Sequence, residues 1–145
     1  MDVNPSPHIK PSKEAMAAIM SERRREREEA ERQRPIDQAE GLEALKRLLP
    51  IAKGRSGQCR RVAAFLLAIY NGTRFPLDLT MLRGLDQKIF DDCLAVLRMD
   101  HIATQEVHTY FQNGGAIWER LAADWKIGST KKDEPVGHGL MTSLA

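Results

Sequence analysis

Residues 57–70 read GQCRRVAAFLLAIY, and this stretch decides the fold. Val62, Ala63, Phe65, Leu66, Leu67, Ile69 and Tyr70 leave it apolar on most sides, the pattern of a central helix enclosed by others. Ser56 stands before it as an N-cap, and Asn71-Gly72 stops it. Upstream, Leu42, Leu45, Leu48 and Leu49 form one stripe at helical spacing. Pro50 should kink or end that helix, and Gly54 fits its C-terminus. Downstream, Asp78 can cap a short helix reaching about Gly84. Asp86 then caps a longer one, Gln87 to Met99, with Ile89, Phe90, Cys93, Leu94, Val96 and Leu97 turned inward.

The stretch from His101 to Gln112 alternates and is rich in β-branched residues (Ile102, Thr104, Val107, Thr109), so it reads as a short β-hairpin or an irregular loop. Asn113-Gly114-Gly115 punctuates it. A last helix, Ala116 to about Trp125, sets Ile117, Trp118, Leu121, Ala122 and Trp125 at helical spacing. The expected fold is mostly α: a compact bundle of about five helices with a small β-hairpin, preceded by a charged helical arm.

The ends differ from the middle. Met1 to Pro11 holds Pro5, Pro7 and Pro11 and reads as disordered. Ser12 can cap a helix from Lys13 towards Arg34, with Pro35 ending it. Glu22 to Arg34 contains six arginines and five glutamates, with helical-spacing pairs such as Glu28 with Arg32 and Glu31 with Arg34. Its apolar residues are confined to Ala15, Met16, Ile19 and Met20, so the arm can bury little and should project or fray. Asp37 and Glu40 then make a capping-box pattern, with Ile36 as a staple. Three segments result: a disordered start with an Arg/Glu-rich arm (1–35), a helical domain (36–127) and a flexible tail (128–145).

Bulk properties narrow the class. At 145 residues one domain is expected, with 42% hydrophobic and 29% charged residues. A formal net charge of +2 is too small for a protein that coats nucleic acid non-specifically. Cys59 and Cys93, far apart in sequence, suit reduced thiols in a cytoplasmic protein. No run is long enough for a membrane span, and Met1 to Lys10 has no apolar core of a signal peptide.

No catalytic constellation emerges. His8, His101, His108 and His138 do not combine with cysteines or acids at metal-ligand spacing. Asp91 and Asp92, adjacent on a helix, point about 100° apart and suit a solvated or docking face better than acid–base work. Cys59 lies beside Arg60 and Arg61 but has no accompanying general base. Phosphate-cradling glycine loops are absent. No catalytic, cofactor or metal residue is expected, and the chain reads as a non-enzyme.

Charge is segregated along the chain. Lys46, Arg47, Lys53, Arg55, Arg60, Arg61 and Arg74 occupy Ala44 to Leu77 with no acid among them. Asp78 to Glu106 reverses the bias, with Asp78, Asp86, Asp91, Asp92, Asp100 and Glu106. Single-signed surfaces steer oppositely charged partners. Two patterns hint at nucleic acid. Gly54-Arg55-Ser56-Gly57 resembles a KH-type clamp, yet helix on both sides makes it a tight interhelical turn. The order short helix, turn, helix, extended chain over Asp78 to His108 is that of a winged helix-turn-helix, but its recognition helix would face DNA with Asp86, Asp91 and Asp92.

The segments LEALKRLL, GRSGQCRRVAAFLLAIYN, LDLTML and DQKIFDDCLAVLR, between Leu42 and about Leu97, resemble a family of short, uncharacterised bacterial proteins, mostly proteobacterial. Gly57-Gln58, Val62-Ala63, Phe65 to Ala68 and Asn71 match best; Pro50 and the Arg/Glu arm depart from the pattern. The family is a domain of unknown function. The resemblance implies residence on plasmids, integrative elements and phage-like regions, and an accessory role such as element control, transfer or interference with host defence.

The expected function is therefore a non-enzymatic interaction protein of a mobile element. It would bind a protein or ribonucleoprotein through Asp86, Asp91 and Asp92 on one side and Lys46, Arg47, Arg55, Arg60 and Arg61 on the other. Its most specific form is an anti-CRISPR-like inhibitor whose acids meet a basic nucleic-acid-handling groove. The alternative is a winged-helix DNA-binding regulator.

Overall fold

The structure, a computed structural model, describes residues 8–128. Four α-helices follow in order: α1 (Lys13–Ala52), α2 (Gly57–Tyr70), α3 (Gln87–His101) and α4 (Gly114–Trp125). Two short 3₁₀ turns, Leu79–Leu82 and Val107–Tyr110, precede α3 and α4 respectively. The chain divides into two compact units, Met1–Ile36 and Asp37–Ala145.

In the first unit, Ser12 caps α1 by accepting the Ala15 N–H at 3.1 Å. Every described residue of this unit is exposed, including Met16, Ile19 and Met20. Among the described residues of this unit the ion pair is Arg25 with Glu22, rather than Glu28 with Arg32 or Glu31 with Arg34.

Two proline expectations are corrected. Pro35 does not end the arm helix, and Asp37 does not cap a new one, because α1 runs through both positions. Pro50 does not end it either; α1 continues to Ala52. A proline inside a helix removes one N–H and crowds the carbonyl four residues back. Both prolines are exposed, so water can solvate the freed carbonyl. The helix finally closes with tighter turns: the Lys53 N–H reaches Pro50 O at 3.2 Å and the Gly54 N–H reaches Ile51 O at 3.0 Å.

The second unit holds the core. α1 buries Leu45, Leu48 and Leu49 of the leucine stripe read from the sequence together with Ala44 and Ala52, while Leu42 is half-buried against them. α2 buries Val62, Ala63, Phe65, Leu66 and Leu67 and packs against α4, which adds Trp118, Leu121 and Ala122. Each such aliphatic side chain stabilises the fold by roughly 1.5–3 kcal/mol when removed from water. No polar or charged residue is buried among the described residues. α3 turns Cys93, Val96 and Met99 inward, while Leu97, expected inside, is 40% exposed. The buried stripe of α3 is narrower than its apolar content because the helix packs on one side.

The two indoles bond to helix carbonyls. Trp118, fully buried, donates from Nε1 to Leu66 O at 3.0 Å. Trp125 donates to Ala52 O at 2.7 Å, serving a carbonyl that the end of α1 leaves free. Ser56 caps α2, accepting the Cys59 N–H at 3.3 Å, and Asn71 ends it, as the sequence indicates.

Of the two readings for His101 to Gln112, hairpin or irregular loop, the hairpin does not form. Among the described residues there is no strand, and Val107–Tyr110 forms a 3₁₀ turn instead. Val107 is buried and Tyr110 bonds Gln38, donor Nε2 to phenol oxygen at 2.7 Å, so burial of the turn replaces pairing of strands. The turn also explains Gly114. A methyl group there would land on the carbonyl oxygen of His108, so only glycine lets α4 start against the turn. The tail reading for 128–145 and the disorder reading for Met1 to Pro11 fall mainly outside the described residues.

Candidate functional site

The start of α3 lies against the second half of α1. Between them Arg47, Ile51, Asp86, Gln87, Lys88, Ile89, Asp91 and Asp92 line an open groove of about 740 Å³. Ile51 and Ile89 are half-buried against the core and give the groove an apolar floor. Three carboxylates and two cations form its walls.

Gln58, on α2, fixes where α3 begins. Its Oε1 accepts the Asp86 N–H at 2.8 Å, and its Nε2 donates to Asp86 Oδ2 at 3.0 Å. Asp86 occupies the N-cap position, but its own side chain makes no cap bond because Gln58 holds it. Asp92 is held by Arg47 through two hydrogen bonds, Nε to Oδ2 at 3.1 Å and Nη2 to Oδ1 at 2.9 Å. This side-chain bond, ahead of the opposing desolvation, raises the Arg47 guanidinium above its usual pKa. Asp91 accepts from Gln87 Nε2 at 2.9 Å, one helical turn away. The groove is thus a shaped acidic rim in which Asp86 and Asp91 are exposed carboxylates and Asp92 is half-buried.

Of the eight charged residues expected to bind a partner, Arg47, Asp86, Asp91 and Asp92 come together here. The other four do not. Lys46 pairs with Glu43 on its own helix at 3.2 Å. Arg61 donates to the carbonyls of Met81 and Arg83, at 3.0 and 2.6 Å, and so closes the first 3₁₀ turn. Arg60 donates to Trp125 O at 3.2 Å, at the C-terminal end of α4 where a cation is favoured. Arg55 lines a separate cavity with Lys53, Gly54, Asp124 and Trp125. The basic run therefore splits between the groove, backbone capping and a second hollow.

A network the sequence did not reveal sits elsewhere. Arg74 forms a two-bond pair with Glu119, at 2.8 and 2.9 Å, and Tyr70 donates to the same carboxylate at 2.9 Å. Burial, then the bond to Glu119, pushes the Tyr70 phenol above its usual pKa. Arg74 also lies over the Phe75 ring at 4.7 Å. Arg74 and Glu119 are 45 positions apart, and neither falls in a local pattern that sequence reading detects. Gln58 and Lys88 were likewise missed as groove residues, since only the placement of α2 beside α3 gives Gln58 its role.

No group of three or more His, Cys, Asp or Glu residues is placed to hold a metal ion among the described residues. No helix among them is long and apolar enough to cross a membrane. The helix read as a DNA-recognition helix, α3, spends its Gln87 amide on Asp91 and is followed by a 3₁₀ turn, not a wing.

A family model of unknown function matches residues 42–126, which include the groove and the whole buried core. The chain belongs to DUF7673. That match begins at Leu42, so the DUF7673 region covers α2, α3, α4 and the part of α1 that supplies Arg47 and Ile51. No curated protein and no solved structure matches the chain.

Proposed function

We infer that this DUF7673 protein is a non-enzymatic interaction protein whose α1–α3 groove receives a segment of a partner protein. One observation carries the reading. An apolar floor, Ile51 and Ile89, lies beneath a rim fixed by the Gln58–Asp86 and Arg47–Asp92 contacts. A preformed floor suits an apolar anchor residue, and a preformed rim lowers the ordering cost of binding. Asp86, Asp91 and Asp92 against Arg47 and Lys88 favour a segment carrying basic residues beside that anchor.

The narrower reading, an anti-CRISPR-like inhibitor of a mobile element that covers a basic nucleic-acid-handling surface, rests on the sequence resemblance and on this acidic rim. The winged-helix alternative receives less support, because α3 presents carboxylates where phosphates would approach.

The test places a photo-crosslinking amino acid at position 88, on the groove rim, in the protein's own host. A protein crosslinked there whose capture survives nuclease treatment supports the reading. If only DNA is recovered, the regulator reading replaces it.

A further inference from the structure

The far corner of the second unit carries a different surface. The turn between α1 and α2 and the end of α4 line a hollow of about 410 Å³, formed by Lys53, Gly54, Arg55, Asp124 and Trp125. That volume falls within the range of small-ligand pockets. Lys53 and Arg55 are exposed and have no ion-pair partner among the described residues. Arg60 adds a third cation, since its guanidinium lies at the Trp125 carbonyl, 3.2 Å away. The single acid of the lining, Asp124, lies 3.8 Å from Arg120 on its own helix.

Trp125 forms part of the wall, and its orientation is set. The bond from its indole N–H to Ala52 O at 2.7 Å anchors one edge of the ring. Contrast the α1–α3 groove, where every charge but Lys88 bonds to another charge or to a neighbouring amide. Here Lys53 and Arg55 are unspent, Arg60 is held beside them by a backbone carbonyl, and an anchored aromatic ring stands among them.

We propose that this corner binds single-stranded nucleic acid, with Lys53, Arg55 and Arg60 on successive phosphates and Trp125 against a base. Cations tracking the backbone beside a ring that stacks bases are the two parts of a single-strand platform. An acidic peptide would use the cations and leave the ring without a counterpart. A duplex would offer phosphates but keep its bases away from a ring set in a hollow. The proposal is independent of the α1–α3 groove, and the two fail separately.

The experiment measures binding of the full chain to labelled oligo-dU and oligo-U of about 12 nucleotides, within the site sizes of such platforms. A duplex of the same length and polyglutamate are the controls. Fluorescence anisotropy reads affinity. Tryptophan quenching reads stacking, because Trp118 is fully buried and Trp125 is the other indole. Expected are binding to at least one oligomer with quenching and at least about tenfold loss in K53E/R55E. Three neutralised phosphates should also weaken binding roughly tenfold to twentyfold between about 50 and 200 mM salt. Preference for one oligomer assigns the sugar. W125L should lose about tenfold through stacking; K53E/R55E changes only exposed side chains and keeps the test decisive if W125L does not fold. Absence of binding to both oligomers, affinity unchanged in K53E/R55E, or equal binding of the duplex or polyglutamate would overturn the proposal.

Discussion

Arg47 and Asp92, 45 positions apart, are joined by two hydrogen bonds of 3.1 and 2.9 Å. One belongs to the basic run and the other to the acidic run, so part of the charge segregation along the chain closes on itself in space. The pair ties α3 to α1 and shapes one wall of the groove.

That pair should matter more for shape than for stability. Arg47 is 58% exposed, and solvent screening limits an exposed ion pair to about 0.2–1 kcal/mol. R47M and D92N should each lower the urea midpoint slightly, whereas partner affinity should fall in both. Chemical denaturation and titration against the crosslinked partner check the two halves.

Gly114 and Gly115 should respond oppositely to alanine. A methyl at 114 meets the His108 carbonyl, so G114A should displace α4 or the 3₁₀ turn and lower the melting temperature sharply. At 115 the nearest atom is His108 Cδ2 at 3.9 Å, ordinary contact. G115A should stabilise by roughly 0.5–1 kcal/mol through helix propensity. Thermal melts of the two variants give the comparison.

Cys93 should make the fold sensitive to alkali. Burial, with a smaller contribution from Asp92, pushes its thiol up to about 12. The unfolded thiol ionises nearer the ordinary value of 9.0, so above that pH the unfolded chain binds fewer protons than the folded one. Stability from this group is full below pH 9.0, declines as pH rises, and is lost by about 12. C93A should flatten that decline while lowering stability at neutral pH by leaving a small cavity. Urea midpoints from neutral to alkaline pH test it, with Tyr70 adding a later loss.

Removing Trp118 should be the most damaging single truncation. W118A deletes a fully buried indole and its bond to Leu66 O, for a loss of about 3–5 kcal/mol. W118F keeps most of the ring and should lose less, about 1–3 kcal/mol. Equilibrium unfolding of both separates packing from the hydrogen bond.

Much of the fold was legible because apolar periodicity is local. Leu45, Leu48 and Leu49, then Val62 to Leu67, then Trp118 to Ala122 announced their helices directly. Ser12, Ser56 and Asn71 marked ends where side-chain or backbone bonds do form. Pro35 and Pro50 misled because an exposed helix can leave a carbonyl to water. The 3₁₀ turn at Val107 misled because alternation over a short run does not separate strand from tight turn.

The candidate site was half legible. Asp86, Asp91 and Asp92 lie close in sequence and share a groove in the structure. The fates of Arg60 and Arg61 were not legible, since each serves a carbonyl on a distant element, Trp125 for one and Met81 and Arg83 for the other. Charge counted along a chain cannot tell a cation that faces solvent from one that caps a helix.

The most direct test of the groove compares quantitative capture from the native host by wild type, I89K/D91K and K53E/R55E, each shown folded by circular dichroism and treated with nuclease. Expected is a protein retained by wild type and K53E/R55E and lost from I89K/D91K. Equal retention by all three would contradict it.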